Sequence, residues 1–226
     1  MIALGIDTST PAGSVAVQRE DRLLGEINLD TGVHHQERLL RSIDFLLDLA
    51  GLNISGVDLF AVALGPGTFT GLRVGIATVK GLAVARGAPV FGFSTLLALA
   101  HRYIARGLPV APMIDAGRGE VYSALYGGGQ GGLREISPEQ GGPPEAFLAS
   151  LPSEPILFCG NGAGVYRDLI LRMRSGNDAL VGDPCFLGAT LGRLGASKLR
   201  EGCPWSIGSL KPNYLRPPDA ELGRKP

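Results

Sequence analysis

The sequence predicts an α/β fold built from two successive mixed sheets, and three observations support that prediction. The chain has 226 residues, of which 45% are hydrophobic and 34 are glycine, a composition typical of a globular α/β protein with many tight turns. Short apolar strand patterns alternate with helix patterns along the first half. A similar order of elements begins again after about residue 107.

The first half begins with three strand patterns joined by short turns, which predict an antiparallel meander. Their ranges are 2–8, 13–19 and 22–30. Apolar residues three and four apart from Leu39 to Leu47 then predict an amphipathic helix, which Gly51 ends. The remaining elements of this half are a strand at 59–64, a helix at 71–86, a strand at 89–93 and a helix capped by Ser94 that reaches about residue 106.

The second half repeats this order and predicts a second lobe. Its expected strands are 108–115, 120–126, 133–136 and 156–159, and its expected helices are 143–151, 165–173 and 184–200. A meander followed by right-handed crossovers is the ribonuclease H-like plan found in each half of actin, Hsp70 and sugar kinases, the ASKHA fold class. We therefore predict two ribonuclease H-like lobes, 1–106 and 107–226. The second is expected to be smaller or incomplete, because no strand pattern is evident between Ser175 and Pro184, and to end in an extended proline-rich tail.

Composition and charge exclude several classes of function. The 21 Lys and Arg residues balance 21 Asp and Glu residues, so the sequence indicates no basic surface for direct, tight binding of nucleic acid. The three cysteines lack metal-ligand spacing and are odd in number, which argues against a zinc knuckle and a disulfide framework. With no signal-peptide pattern at the start and no apolar run of membrane-spanning length, we expect a cytoplasmic protein.

The stretch from Gly65 to Gly75, Gly-Pro-Gly-Thr-Phe-Thr-Gly-Leu-Arg-Val-Gly, lies between a predicted strand and a predicted helix. Free N–H groups at such a helix start form a natural anion site, which favours a phosphate cradle. Small residues that continue to Gly81 and Ala83 equally favour a smooth helical face against which another helix packs. The residues of this segment alone leave both interpretations open.

Three further segments are candidates for nucleotide binding. The first is the end of the first strand, with Asp7, Thr8 and Ser9, where ASKHA proteins place an acid and hydroxyls near magnesium and phosphate. The same residues equally fit a turn in which the side chains bond the backbone N–H groups of the turn itself. Asp115 ends the corresponding strand of the second lobe. The loop from Gly160 to Gly164, with Gly160 and Gly162, follows a strand, but it lacks the last glycine of the dinucleotide fingerprint and fits a plain tight turn.

The sequence predicts no metal site and no catalytic nucleophile. His34 and His35 are adjacent and point in different directions on a helix, so they make a poor zinc pair, and the H-E-x-x-H spacing is absent. Neither a nucleophile elbow nor a Walker A sequence occurs.

Several motifs together resemble one known family. They are Ile-Asp-Thr-Ser-Thr at 6–10, His-Gln-Glu-Arg-Leu-Leu at 35–40, the segment 65–75, Ile-Asp-Ala-Gly-Arg-Gly-Glu-Val-Tyr at 114–122, Gly-Asn-Gly-Ala at 160–163 and Pro-Asn-Tyr-Leu-Arg at 212–216. The chain resembles, over nearly its full length, the bacterial TsaB family of dimerisation subunits in the synthesis of N6-threonylcarbamoyladenosine in tRNA. The resemblance implies a non-catalytic partner of a TsaD-type subunit, with a TsaE-type ATPase as a further partner. It also implies homodimers when the chain is alone, only indirect contact with tRNA, and no tightly bound cofactor, with ATP or ADP a candidate ligand at the partner interface.

The related TsaD-type catalytic subunits carry a metal-binding H-x-x-x-H in the helix after the fifth strand. This sequence has Thr95 and Leu99 at that spacing, and neither is a strong ligand for iron or zinc. The resemblance therefore implies that metal-assisted carbamoyl transfer has no site in this chain.

In the family, pairing uses the first-lobe helices. On that basis, and because apolar side chains recur on both helices, we predict six partner-facing residues: His35, Leu39, Thr70, Leu72, Arg73 and Ile76. Burial in the core is the alternative for the apolar members.

Two rival functions differ in class from a scaffold subunit. One is an intrinsic ATPase or kinase of the ASKHA type that uses Asp7, Asp115 and the 160–164 loop. The other is a peptidase, suggested by the historical association of related proteins with glycoprotease activity; no nucleophile or metal site in the sequence supports it.

Overall fold

A computed structural model describes residues 1–32, 34–104, 107–129, 132–174, 176–182 and 184–216. The chain forms two compact units, the first from residues 1–98 and 186–213 and the second from residues 99–185 and from Tyr214 onward. This division differs from the predicted one at 106 and 107. The physical reason is that the last helix returns to pack on the first sheet rather than on the second.

The first unit has a five-stranded sheet in the order β3-β2-β1-β4-β5. Its strands are β1 (Ile2–Asp7), β2 (Gly13–Arg19), β3 (Arg22–Leu29), β4 (Leu59–Gly65) and β5 (Val90–Ser94). Strands β1, β2 and β3 pair antiparallel, and β4 and β5 continue the sheet in parallel. The predicted meander with parallel crossovers is therefore confirmed.

The helices of the first unit follow from their apolar periodicity. They are α1 (His35–Leu49), α2 (Phe69–Arg86) and the start of α3 (Thr95–Tyr103). Helix α1 buries Leu39, Ile43, Leu46 and Leu47, the side chains that the three-and-four spacing places on one face. The predicted Ser94 cap is confirmed, because its hydroxyl accepts a hydrogen bond from the Leu97 N–H at 3.2 Å.

The last helix packs unusually close to the first sheet. After β10, α7 (Gly188–Arg200) lies against β1, β2 and β4. A Cβ atom on Gly5 would lie 2.0 Å from the carbonyl oxygen of Gly188, and the Gly188 N–H donates to the Ser14 hydroxyl at 2.7 Å. Glycine on both sides of this contact lets helix and strand backbones touch, which explains why α7 belongs to the first unit.

The second unit has a five-stranded sheet in the order β10-β9-β6-β7-β8. Its strands are β6 (Val110–Gly117), β7 (Glu120–Gly129), β8 (Gly132–Gly142), β9 (Leu157–Cys159) and β10 (Ala179–Val181). Strand β10 pairs with β9 in the region where we expected no strand, so the prediction of a lobe lacking a strand there is wrong. Only three residues long and half-buried, β10 is too short to show a period of two.

The helices of the second unit are α4 (Pro144–Ser150), α5 (Asn161–Val165) and α6 (Arg167–Met173). Most of the predicted 160–164 loop is therefore the short helix α5, which a break at Tyr166 separates from α6. The buried core of this unit includes Met113, Phe147 and Phe158.

The described part of the tail, up to Arg216, contains a 3₁₀ turn and otherwise irregular backbone. After a 3₁₀ turn at Ile207–Ser209, the Asn213 N–H donates to the carbonyl oxygen of Leu64 at 2.6 Å, which fastens the tail to the end of β4. Among the described residues, no helix combines the length and the apolar character needed to cross a membrane.

Candidate functional site

The loop between β1 and β2 is tied to the starts of both α1 and α2. The Thr8 hydroxyl donates to the carbonyl oxygen of Gly71 at 2.7 Å, and the Thr68 N–H donates to the Ser9 carbonyl at 2.7 Å. On the other side, the Thr10 carbonyl lies 2.7 Å from Nε2 of His35. These contacts join the loop and two helices into one element of the first unit.

The glycines of the 65–75 segment leave room for the β1–β2 loop to pack against the start of α2. A Cβ atom on Gly67 would lie 2.2 Å from the Ser9 carbonyl oxygen, and one on Gly71 would lie 2.1 Å from that of Thr8. A Cβ on Gly75 would lie 2.2 Å from the Thr8 hydroxyl. The start of α2 is therefore packed against the chain's own loop, and the packing interpretation accounts for these glycines without a phosphate.

Asp7 is fully buried beneath this loop. Its Oδ1 atom accepts the Ser9 N–H at 2.9 Å, while Oδ2 has no partner among the described residues. Burial raises the pKa of the Asp7 carboxyl from 3.8 to about 6. The side chains of Thr8 and Ser9 are buried as well. Only the Asp7–Ser9 contact fits the turn interpretation, because the Thr8 hydroxyl bonds α2 and the Ser9 hydroxyl has no partner among the described residues. Nucleotide binding by these three residues stays a prediction.

The other nucleotide candidates lie together in the second unit. The exposed Asp115 accepts the Gly117 N–H at 3.0 Å, and its own N–H donates to Asn161 Oδ1 at 3.2 Å. Gly160 has a φ of 96°, and a Cβ on it would lie 2.4 Å from the Met113 carbonyl oxygen. Gly162 is also close to β6, because its Cβ would lie 2.8 Å from the carbonyl carbon of Met113. Packing on β6 accounts for both glycines.

His35 links α1 to the β1–β2 loop as a neutral imidazole. The guanidinium of Arg38, which can only donate, lies 3.2 Å from Nδ1, so Nδ1 is the acceptor. The ring proton is then on Nε2 and is donated to the Thr10 carbonyl. Burial is the main cause that lowers the pKa of His35 below 6.5, and the nearby Arg38 charge acts in the same direction. His35 therefore has a structural role within this chain.

Three of the six predicted partner-facing side chains are buried within the chain itself. Leu39 is 5% exposed, Leu72 0% and Ile76 4%. Their apolar stripes face the sheet, so the prediction is corrected for these three residues, and the core alternative holds. Thr70 and Arg73 do face outward, and the Arg73 guanidinium lies 3.7 Å from the centroid of the Phe69 ring.

The outward face of α2 carries a different set of residues at three-and-four spacing. We call it the α2 outer stripe, and its members are Thr70, Arg73, Ala77, Gly81 and Val84, all exposed. Val84 is 66% exposed, and a Cβ atom added to Gly81 would meet no atom within 4 Å. The sequence shows the small residues, but it does not show which side of the helix faces outward.

A cavity of about 300 Å³ opens between the first turns of α1 and α2. His34, His35, Thr68 and Thr70 are among its lining residues, so it adjoins the first member of the α2 outer stripe. On the neighbouring helix α1, the large apolar side chain of Leu40 is also exposed. The outward surface of the two helices is therefore smooth and partly apolar.

The positions that correspond to the H-x-x-x-H spacing are both buried. Thr95 and Leu99 are each 0% exposed. Within the described ranges, no group of three His, Cys, Asp or Glu side chains could hold a metal ion.

Known proteins resemble this chain in sequence and in fold. The family model described as TsaD, tRNA N6-adenosine threonylcarbamoyltransferase, matches residues 29–178. The TsaB protein of Haemophilus influenzae, named a tRNA threonylcarbamoyladenosine biosynthesis protein, is 33% identical over 187 residues, which are 77% of this chain and 78% of that protein. The chain belongs to the TsaB family, a branch of the wider TsaD-like group. The TsaB protein of Bacillus subtilis is 28% identical over 98% of this chain and 96% of its own length.

Solved structures agree with the TsaB assignment and with the fold class. YeaZ from Pseudomonas aeruginosa superposes with a TM-score of 0.77 and 33% identity, covering 95% of this chain and 99% of that one. An activator of 2-hydroxyisocaproyl-CoA dehydratase from Clostridium difficile, solved with ADPNP, has a TM-score of 0.53 at 10% identity and covers 89% of this chain and 97% of that one. That second likeness shows the shared ASKHA fold alone.

Proposed function

We propose that the chain is a non-catalytic subunit for the formation of N6-threonylcarbamoyladenosine in tRNA and that it acts by pairing with a TsaD-type catalytic subunit. Support comes from the relatives named as tRNA threonylcarbamoyladenosine biosynthesis proteins, one of which aligns with 98% of the chain. The residue types at Thr95 and Leu99 also support a subunit that leaves the metal chemistry to its partner.

The α2 outer stripe is the surface that we propose for this pairing. The observation that carries the proposal is Gly81, which lies in the interior of an exposed helical face and has open space beside it. A glycine there costs the free helix about 1 kcal/mol relative to alanine. No packing within the described chain explains that cost, whereas close approach of a partner helix does.

The remaining partner assignments rest on the family. We propose that a TsaE-type ATPase joins the pair, that the chain contacts tRNA only through its partner, and that ATP or ADP binds where the two subunits meet. In the absence of the partner the same stripe supports a homodimer. Cytoplasm, where tRNA is modified, is the proposed compartment.

Gel filtration of the chain with its TsaD-type partner tests the pairing. We expect co-elution of the native chain, weaker co-elution of Gly81→Ala because its Cβ keeps the partner helix from approaching as closely, and loss of co-elution for Gly81→Arg, because the long side chain holds the two helices apart. Leu171→Arg, on the exposed surface of α6 in the second unit, is the matched control and should leave pairing intact. Reconstituted threonylcarbamoylation should follow the same pattern. Co-elution of Gly81→Arg at native strength would contradict the assigned surface, and no co-elution of the native chain with any nucleotide would contradict the function.

A further inference from the structure

Strand β3 forms an open edge of the first sheet. It pairs with β2 on one side, and no described strand pairs with its other side. The β2 pairing is regular from Gly25 to Leu29, whereas the register shifts at Leu24. Edge strands are commonly protected by lysine, proline or a central bulge, and the segment from Gly25 to Leu29 has none of these. Its outward N–H and C=O groups can therefore pair with another extended backbone.

One face of this strand borders an apolar groove. Ile27 and Leu29 line a groove of about 580 Å³ together with Arg41, Ser42 and Phe45 of α1. The Phe45 side chain is 57% exposed. A strand added to the edge would place every second side chain into this groove, because side chains alternate between the two faces of a sheet. Apolar side chains fit there beside Ile27 and Phe45, whereas a lysine or arginine would approach the Arg41 guanidinium.

The opposite face of β3 is acidic. Glu26 faces α7, because its Oε1 atom accepts the Ala189 N–H at 3.2 Å. Asn28 shares that face by alternation and is exposed, and the exposed Asp30 follows just beyond the end of the strand. No basic residue occurs from Gly25 to Asp30. Basic side chains of an added strand therefore fit this face, where they would lie near the Glu26 carboxylate.

We propose that the β3 edge binds an extended segment of a partner protein in which apolar residues alternate with lysine or arginine. The backbone groups of the edge select a strand, and the two faces of β3 select its pattern. A shift of one residue would bring the basic side chains to Arg41, so the alternation also fixes the register. A second copy of the chain does not supply this pattern, because the same segment brings another Glu26 and no basic residue to the acidic face.

This surface consists of β3 and the neighbouring side of α1, whereas the pairing proposed above uses α2. The inference therefore goes beyond the proposed function, and substitutions can test the two surfaces separately. The segment from Gly25 to Leu29 is five residues and about 17 Å long at the usual rise per residue. So short a pairing forms a small interface, and we expect weak, reversible binding that falls as salt concentration rises.

Isothermal titration of the full chain with three probe peptides tests the proposal. The first is the acetylated and amidated heptapeptide Lys-Val-Lys-Val-Lys-Val-Lys. The second has glutamate in place of each lysine, and the third has the composition of the first in the order Lys-Lys-Val-Val-Val-Lys-Lys. We expect saturable binding of the alternating lysine peptide and at least about tenfold weaker binding of the other two, because one carries the wrong charge and the other lacks the alternation.

Substitutions on each face of the edge test where the peptide binds. At the exposed Asn28, Asn28→Asp should bind the alternating lysine peptide at least about threefold more tightly and Asn28→Lys at least about threefold more weakly, because each changes the charge of the acidic face. Phe45→Ser should also weaken binding at least about threefold, because the groove loses its exposed ring. Asn177→Lys and Leu171→Ser, at exposed positions of the second unit, are the matched controls and should bind like the native chain.

Thermal melting of each variant verifies that the fold is retained. Equal binding of the lysine and glutamate peptides overturns the proposal, as does native-strength binding by both Asn28→Lys and Phe45→Ser. A native chain that binds none of the peptides overturns it as well. Self-association in sedimentation equilibrium that Phe45→Ser blocks would make a second copy the occupant and would also overturn it. None of these results affects co-elution with the TsaD-type partner, which tests the proposed function separately.

Discussion

The Thr8 hydroxyl donates a hydrogen bond to the Gly71 carbonyl oxygen at 2.7 Å and thereby joins the end of β1 to the first turn of α2. The same threonine fills the space beside Gly75, where an added Cβ would lie 2.2 Å from its Oγ1 atom. Thr8 therefore accounts for two glycines of the most distinctive segment in the sequence, Gly75 through its side chain and Gly71 through its backbone carbonyl oxygen. The segment that most resembles a phosphate loop is occupied by the chain's own loop.

Alanine substitutions at Gly71 and Gly75 should both lower the free energy of unfolding, but for different reasons. Gly71→Ala brings a Cβ to within 2.1 Å of the Thr8 backbone oxygen, so the free energy of unfolding should fall by about 1–3 kcal/mol. Gly75→Ala instead meets the Thr8 hydroxyl, so Thr8→Ala should relieve its cost. A double-mutant cycle in urea measures this coupling. Gly81→Ala, in open space, should stabilise the chain by about 0.5–1 kcal/mol and serves as the control. Additive effects of Thr8→Ala and Gly75→Ala would contradict the contact.

The buried Asp7 carboxyl should make stability fall as pH rises. Its pKa is raised from 3.8 to about 6, so its contribution is fully present below 3.8 and is lost as pH rises through about 6. The difference between the two values corresponds to about 3 kcal/mol at neutral pH. Asp7→Asn keeps an acceptor for the Ser9 N–H and carries no charge. Urea unfolding should find the variant more stable than the native chain at pH 7.5 and similar to it at pH 4. Equal stability at both pH values would show that Oδ2 has a charge-compensating partner.

Asp7→Asn also separates the scaffold from a nucleotide-dependent enzyme. If Asp7 only closes a turn, the variant should pair with the TsaD-type subunit and support threonylcarbamoylation at the native level. Calorimetry with ATP and magnesium should show the same weak or absent binding for both chains. A large loss of nucleotide binding in the variant would instead favour the ATPase alternative.

His35 should titrate below 6.5 and should be protonated at Nε2 while it is neutral. Because the folded state disfavours the imidazolium, the stability contributed by this residue is present above 6.5 and is lost as pH falls towards the lowered pKa. Nitrogen-correlated NMR of the imidazole reports both the tautomer and the pKa. His35→Gln should reduce the loss of stability between pH 6.5 and 5. A ring protonated at Nδ1 would be inconsistent with the Arg38 contact.

A buried ion pair fastens α6 within the second unit. Arg174 bonds Asp178 through two nitrogens at 2.9 and 3.1 Å, and both side chains are less than 10% exposed. Asp178 also accepts the Ile156 N–H at 2.8 Å. Asp178→Ala leaves the guanidinium buried without its anion, so thermal unfolding should show a loss of about 3–5 kcal/mol. Glu201→Ala, which removes an exposed ion pair with Lys198, is the control and should have little effect.

The sequence determined most of the fold, because the spacing of apolar residues along the chain indicates where each long strand and helix lies. The strands β1 to β5 and the helices α1 to α3 follow from apolar spacing and from caps such as Ser94, and full-length motif agreement identified the TsaB family. The short strand β10 and the break between α5 and α6 were missed, since three residues or one turn carry no readable period.

Tertiary structure alone decided which side of each helix meets solvent. The three-and-four spacing of Leu72 and Ile76 fixes that they share a face of α2 but not whether that face meets the sheet or a partner. Contact with the β1–β2 loop turns this face inward and leaves Gly81 outward. In the same way, only the folded chain shows that α7, near the end of the described sequence, packs on Gly5, near its beginning. Periodicity is a local property, whereas the phase of a helix and the partner of a glycine are set by residues far away along the chain.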